Sequence, residues 1–274
     1  KEFDAFLLDS LLRDGKAEVH LEEAVLTAES DGKLWRIKTS KGTYTARVLI
    51  SADGVNSRLA RQFGVKREMG FTLSADVPVK SEKMLIDTTN FSWGYFWMFP
   101  KEGATSVGIG EFTEPGKNLA GRAKDFARKY RLPDAGFRGY PIPAGKRRCD
   151  VSRDRLLFLG DAGGLVDPLT GEGIYYAMRS GVLAGTAVER AFETGDFKHL
   201  KGYERAVNEE FGREFFWARL VGKLFFRAKN LALKVVERNE EVGRITALLL
   251  SGDISYSRSA VEFLKLLIKT HARL

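Results

Sequence analysis

A single cysteine, Cys149, occurs in the 274 residues. No disulfide can form within the chain, and a reducing compartment fits best. Cys149 reads as a small buried hydrophobe rather than a redox group. The three histidines, His20, His199 and His271, are far apart. With one cysteine they supply neither a dedicated zinc site nor a recognisable catalytic triad, so no metal is expected. No run of 18 apolar residues is present, which leaves nothing to span a bilayer. No signal peptide, internal repeat or low-complexity linker is visible. The glycine-rich GxGxxG turn that cradles a dinucleotide pyrophosphate is also missing. The cytosol is the expected location, with any membrane contact peripheral and at the inner surface.

What remains is an ordinary globular composition, 44% hydrophobic and 29% charged, with a net charge of +8. The surplus is concentrated late: positions 197–274 hold 15 Lys/Arg against 9 Asp/Glu. A basic surplus serves nucleic acid, an anionic membrane surface or a phosphorylated ligand. No nucleic-acid motif accompanies it, so nucleic acid is not an expected partner.

Apolar spacing predicts a helix over Phe3–Arg13, stopped by Gly15. Short β-rich runs follow at Ala17–Leu21, Ala24–Ala28, Trp35–Thr39 and Thr43–Ile50, with Asp31-Gly32 and Lys41-Gly42 as turns. They read as a meander ending in a buried strand, Arg47–Ser51, with Asn56 or Ser57 capping a short helix. Phe71–Val79, Met84–Thr88, Tyr95–Phe99 and Thr105–Phe112 predict a second sheet, and Leu119–Tyr130 a helix. A strand over Leu156–Leu159, a helix from Gly171 to Phe192 and a mostly helical remainder complete the pattern. A chain that leaves one sheet and returns to it implies a nucleotide-binding domain interrupted by a substrate domain.

The segment richest in chemistry is LLFLGDAGGLVDPLTGEGI, Leu156–Ile174. An apolar strand delivers Asp161 at its carboxyl end, where open α/β sheets bind ligands, and a carboxylate there can accept from ribose or polyol hydroxyls. Gly163 and Gly164 permit close backbone approach. Pro168 ends a local segment, and Gly171-Glu172-Gly173 opens a helix whose free N–H groups favour an anion or an electron-rich ring. A glycine-rich turn with a solvated Asp is the alternative.

This segment resembles the second flavin motif of the FAD family that includes aromatic hydroxylases, halogenases and geranylgeranyl reductases. The resemblance implies Asp161 at the ribitol chain and Gly173 and Ile174 at the flavin ring. Val48–Arg58, VLISADGVNSR, resembles the same family's Asp-Gly motif through Asp53 and Gly54, although a strand-end turn also explains it. Tyr95–Lys101, YFWMFPK, is similar to the Tyr-x-Trp-x-Phe-Pro-Lys pattern of geranylgeranyl reductases. Alternation puts Tyr95, Trp97 and Phe99 on one strand face, either as a wall for a prenyl chain or as an ordinary aromatic core. Lys101 reads equally as a phosphate ligand or a solvated lysine. Tyr140–Gly145, YPIPAG, resembles a proline-containing loop of the family, and KEFDAF resembles its Arg-x-x-Phe-Asp helix. Ala24 then falls on the adenine side.

By this resemblance the fold is α/β, α+β overall: a Rossmann-like FAD domain without its N-terminal βαβ unit, an inserted antiparallel sheet and C-terminal helices. The expected divisions are 1–66 and 151–195 for the FAD domain, 67–150 for the substrate sheet and 196–274 for the helices. The chain is expected to hold the ribitol and ring of FAD but to bind it poorly by itself. The implied reaction is saturation of geranylgeranyl double bonds in a prenylated lipid or prenyl diphosphate, with NAD(P)H or ferredoxin as electron donor. No side chain stands out as the proton donor, so no catalytic residue is assigned; a water beside Gly171–Ile174 is the expectation. A flavin monooxygenase or epoxidase, and a non-catalytic lipid-binding fragment, are the alternatives. Glu210–Val236 reads as a basic amphipathic helix, either lying on an anionic membrane or lipid tunnel or packing into a core. Trp217 is its candidate lipid contact.

Overall fold

The computed structural model describes residues 2–112 and 118–271; positions 272–274 of the expected helical region lie outside these. The chain divides into two compact units, Lys1–Leu49 and Ile50–Leu274.

In the first unit, α1 (Glu2–Asp14) carries Glu2 and Asp4 in its first turn and Arg13 in its last, charges that suit the helix dipole. It buries none of its residues. β1 (Val25–Ser30), β2 (Trp35–Thr39) and β3 (Thr43–Ala46) form an antiparallel meander. Trp35, Ile37 and Thr39 alternate inward on β2. The β1–β2 turn is set by Asp31, whose Oδ1 accepts from the N–H groups of Lys33 and Leu34, both at 2.8 Å. The strand expected over Ala17–Leu21 is absent and the segment is coil. Glu22, at φ 56°, breaks the extended run before β1 begins. The run expected over Thr43–Ile50 is two strands: β3, and β4 (Leu49–Ser51), which belongs to another sheet and carries the chain into the second unit.

There β4 lies beside β11 (Leu156–Phe158), which pairs with β10 (Ser152–Arg153). The N–H of Leu159 donates to the carbonyl of Ser51 at 2.9 Å. Ser57 caps α2 (Arg58–Gln62) by accepting from the Ala60 N–H at 2.9 Å. The larger sheet has five antiparallel strands: β5 (Glu68–Val77), β6 (Leu85–Asp87), β7 (Gly94–Lys101), β8 (Ala104–Glu111) and β9 (Arg138–Ala144), in the order β6-β7-β8-β5-β9. The segment read as a loop at Tyr140–Gly145 is therefore largely strand. Pro141 and Pro143 are tolerated because β9 is an edge.

α3 (Leu119–Lys129) covers one face of this sheet. Phe96, Val107 and Ile109 pack there against Leu119, Ala123 and Phe126, with the Phe96 and Phe126 rings stacked at 4.9 Å. Asp87, buried at the edge of this core, accepts from Lys129 Nζ and Tyr130 Oη, each at 2.6 Å, and from the Thr89 N–H at 2.7 Å.

α4 (Ile174–Thr194) begins three residues later than expected and buries a seam of Ser180, Ala184, Ala187 and Ala191. α5 (Lys201–Val207) and α6 (Arg213–Arg227) are joined by a π-helical turn over Asn208–Gly212. There the Asn208 side chain accepts from the Cys149 N–H at 2.7 Å and donates to its carbonyl at 3.0 Å. Cys149 is buried, and burial pushes its thiol up to about 11, so it stays protonated and unreactive at neutral pH. α7 (Lys229–Arg238), α8 (Glu240–Leu250) and α9 (Tyr256–His271) follow. The single helix expected over Glu210–Val236 is thus broken at Ala228, between α6 and α7.

Candidate functional site

Two turns of the second unit, far apart in sequence, meet at one arginine. The Asp53-Gly54 turn leaves β4 with Gly54 at φ 73°. Asp53 accepts from Ser51 Oγ at 2.5 Å and from the Arg58 N–H at 3.1 Å. Partial burial works to raise its pKa, but these bonds and one from Ser57 outweigh it and hold Asp53 below its ordinary value. Asp161 leaves β11 in a single 3-10 turn, Gly160–Gly163. One guanidinium nitrogen of Arg67 donates to the carbonyls of both Val55, at 2.8 Å, and Asp161, at 3.2 Å. Arg67, which the sequence did not single out, ties the two motifs together.

The Asp161 carboxylate is half-buried, and no hydrogen-bond donor among the described residues reaches it. Burial raises its pKa, with Arg67 pulling the other way. A Cβ added at Gly173 would stand 3.3 Å from Val166 and 3.5 Å from the Asp161 Oδ1, so a side chain there would crowd against the carboxylate. The flanking glycines serve packing. A Cβ at Gly163 would come within 2.8 Å of the Phe158 carbonyl, and Gly164, at φ 74°, lies against the Arg67 side chain.

The next loop is built around Asp167, which is buried. Its Oδ1 accepts from the N–H groups of Leu169 and Thr170, both at 2.8 Å, and from Tyr256 Oη at 3.1 Å. The N–H of Gly171, at φ 77°, donates to the Asp167 carbonyl at 3.0 Å. These bonds consume 167–171 as a turn, which is why the helix starts at Ile174 rather than Gly171. Glu172 caps that helix by accepting from the Tyr175 N–H at 2.8 Å. Trp93 Nε1 donates to the Pro168 carbonyl at 2.8 Å, and Tyr95 Oη donates to that of Thr170. Burial, with the charge of Asp167, pushes the Tyr95 phenol up to about 12. It therefore remains a donor across the neutral range.

Tyr95 begins the aromatic row. Tyr95, Trp97 and Phe99 are half-buried on the face of β7 opposite Phe96 and the α3-covered core. Tyr95 and Trp97 meet edge-on at 5.9 Å, and Trp97 and Phe99 stack at 6.3 Å. Register places Gly110, Gly108 and Ser106 of β8 beside them. A Cβ at Gly108 would fall 2.2 Å from the Trp97 ring, so that glycine gives the indole room to lie across β8. Gly171 faces the near end of the row: a Cβ there would contact Ile142 at 3.2 Å and Tyr95 Oη at 4.0 Å. The core covered by α3 lies on the other face of β7, with Phe96.

The remaining expected residues are not drawn in. Lys101 is exposed and pairs with Asp76 at 2.9 Å. Trp217 is half-buried on α6 and meets Phe216 edge-on at 5.9 Å; none of its described ring contacts is with the aromatic row. Ala24 is exposed in the first unit, its N–H donating to Ser40 Oγ at 3.1 Å. Among the described residues no cluster that could hold a metal ion is found, and no helix is long and apolar enough to cross a membrane.

No family model matches the chain. It is 31% identical over 217 residues to digeranylgeranylglycerophospholipid reductase 2 of Methanopyrus kandleri, covering 70% of this chain and 54% of that protein. Digeranylgeranylglycerophospholipid reductase of Methanocaldococcus jannaschii is 30% identical over 239 residues, 77% of this chain and 59% of its own. The chain therefore spans a little over half the length of these relatives. Among solved structures, a geranylgeranyl bacteriochlorophyll reductase-like protein of Thermoplasma acidophilum superposes with a TM-score of 0.71 at 24% identity, over 82% of this chain and 63% of that one. A flavin-dependent brominase superposes with a TM-score of 0.69 at 16% identity over 98% of this chain, and its triple mutant with 0.68 at 18% identity over 100%, each over 75% of that chain.

Proposed function

Because the chain belongs to the geranylgeranyl reductase family of FAD-dependent oxidoreductases, we propose that it holds the ribitol and ring of FAD and lays a geranylgeranyl lipid chain along Tyr95, Trp97 and Phe99. The observation that carries this reading is the placement of the aromatic row. It lies on the sheet face turned away from the packed core, and its first member is bonded to the turn that holds Gly171.

The residues present fit the cofactor. Asp161 is a half-buried carboxylate without a donor among the described residues, and a polyol hydroxyl would supply one. Gly173 keeps a side chain from crowding it, and the next residue, Ile174, is 66% exposed. In this reading residues 50–66 and 151–195 face the cofactor and 67–150 form the substrate sheet. Asp53 and Gly54 shape the first turn, Gly163, Gly164 and Pro168 the second. Ala24 is assigned to the adenine side by the resemblance alone.

Bound, reduced FAD supplies the hydride for saturation of an isolated double bond. The chain's own contribution is to orient the alkene, exclude water and place π-faces where positive charge develops. Tyr95, protonated throughout the neutral range, fixes the turn rather than exchanging protons. Lys101 and Trp217 are assigned to the substrate by the sequence reading alone.

The test uses the full-length protein carrying this chain, loaded with FAD, reduced anaerobically with dithionite and mixed with a digeranylgeranyl glycerophospholipid. Flavin reoxidation with a saturated product by mass spectrometry is expected. A flavin-loaded protein that gives neither overturns the proposal. Lipid-stimulated oxygen uptake with NAD(P)H would instead identify a monooxygenase.

A further inference from the structure

The exposed face of α6 has a composition that neither the core nor water requires. At about 100° per residue, Phe216, Leu220 and Leu224 fall with Arg213, Lys223 and Arg227 inside an arc of about 100°. All six are exposed, whereas Phe215, Ala218 and Gly222 on the opposite side are buried. The apolar members are 39%, 37% and 61% exposed. No acidic residue lies in the arc: Glu214 points elsewhere and accepts from the N–H of Tyr256 and the hydroxyl of Ser257. A helix face set only for solvation would not line up three large apolar side chains among cations.

Beside this face opens a cavity of about 720 Å³ lined by Lys146, Arg147, Arg148, Arg219 and Glu68. Arg219 is anchored by donating from Nε to the Gly145 carbonyl at 2.8 Å. The one carboxylate, Glu68, is paired with Arg219 at 2.8 Å and Lys146 at 3.6 Å, which leaves the lining strongly cationic. Arg147 connects the cavity to the helix face, its guanidinium 4.9 Å from the centre of the Phe216 ring.

We propose that this surface docks on an anionic phospholipid bilayer, with lipid phosphates in the Lys146–Arg148 cavity and Phe216, Leu220 and Leu224 entering the headgroup boundary. Charge complementarity selects the occupant. A cationic cavity continuous with an apolar, cation-flanked helix face matches a surface that offers phosphates beside acyl chains. A soluble anion uses only the first half of it. The inference is independent of the proposed reductase activity, because it is read by binding alone.

Full-length protein would be sedimented with vesicles of phosphatidylcholine, with and without phosphatidylglycerol. Binding is expected only with phosphatidylglycerol and should fall as salt is raised. The double variant Arg147→Ala, Arg148→Ala should weaken it by about tenfold or more. Phe216→Ser with Leu220→Ser should weaken it while leaving the thermal melt of the exposed-face variant unchanged. Absence of binding by the folded protein, equal binding to neutral vesicles, unaltered binding by both variants, or full competition by millimolar inorganic phosphate would each overturn the proposal.

Discussion

Arg67 and Asp161, 94 positions apart, are joined by a guanidinium-to-carbonyl hydrogen bond of 3.2 Å, while the Asp161 carboxylate itself has no donor among the described residues. The arginine organises the backbone of both turns and leaves the acid free. This division of labour separates what keeps the site in shape from what can contact a ligand.

Arg67→Ala removes the donor shared by the Val55 and Asp161 carbonyls. Hydrogen bonds from a charged group contribute about 1.5–3 kcal/mol, and half-burial puts the expected loss near the lower figure. Urea unfolding should show it, and FAD affinity of the full-length protein should fall with it. Arg67→Lys keeps a charged nitrogen able to donate to both carbonyls but on a shorter reach, and should recover only part.

Asp161→Asn should move stability and ligand affinity in opposite directions. Burial raises the folded pKa of Asp161 above its unfolded value. The folded state therefore holds more protons between the two values, and stability falls as pH rises through that window. The variant lacks this loss, so without ligand it should be more stable than wild type at neutral pH, the difference vanishing below about pH 4. Its FAD affinity should drop about tenfold, the weight of one charge-assisted hydrogen bond. Thermal melts across pH and flavin fluorescence titration check the two halves separately.

Asp87→Asn tests the anchor of α3. Burial alone would raise the pKa of Asp87, but bonds from Lys129, Thr89 and Tyr130 outweigh it and hold the carboxyl well below the usual range. The depressed value stabilises the fold above the unfolded pKa, and that stabilisation is lost as pH falls below about 4. The variant should lose about 2 kcal/mol at neutral pH. In urea melts the gap to wild type should narrow steadily on acidification.

Gly108→Ala would place a methyl group 2.2 Å from the Trp97 ring and 2.6 Å from the Leu73 carbonyl. Forcing atoms into packed space costs about 1–3 kcal/mol. Trp97 should swing off β8, which tryptophan emission would report. Adding Trp97→Ala should restore only part of the stability, because the clash with the carbonyl of the neighbouring strand remains.

Local pattern made much of this visible in advance. β2 is found over the expected Trp35–Thr39, and strict alternation put Tyr95, Trp97 and Phe99 on one face. Alternation could not say which face of the sheet α3 would cover; the stacking of Phe96 on Phe126 shows that it is the face opposite the row. Arg67 and Trp93 were illegible because their partners, the carbonyls of Asp161 and Pro168, are backbone groups distant in sequence. Asp167 lay inside the recognised segment yet went unnoticed. Its Asx-type bonds to Leu169 and Thr170 were the available signal, and they explain the late helix start. Tyr140–Gly145 was expected as a loop from the resemblance alone, and its two prolines gave no hint of a strand, since they fit one only at an edge.

That edge has a consequence for how the protein behaves at high concentration. An exposed strand invites further strands to add by backbone pairing. At one side of the five-stranded sheet β6 offers only three residues, and at the other Pro141 and Pro143 lack N–H groups. Both borders are poor templates for a further strand, which disfavours edge-to-edge polymerisation of this sheet.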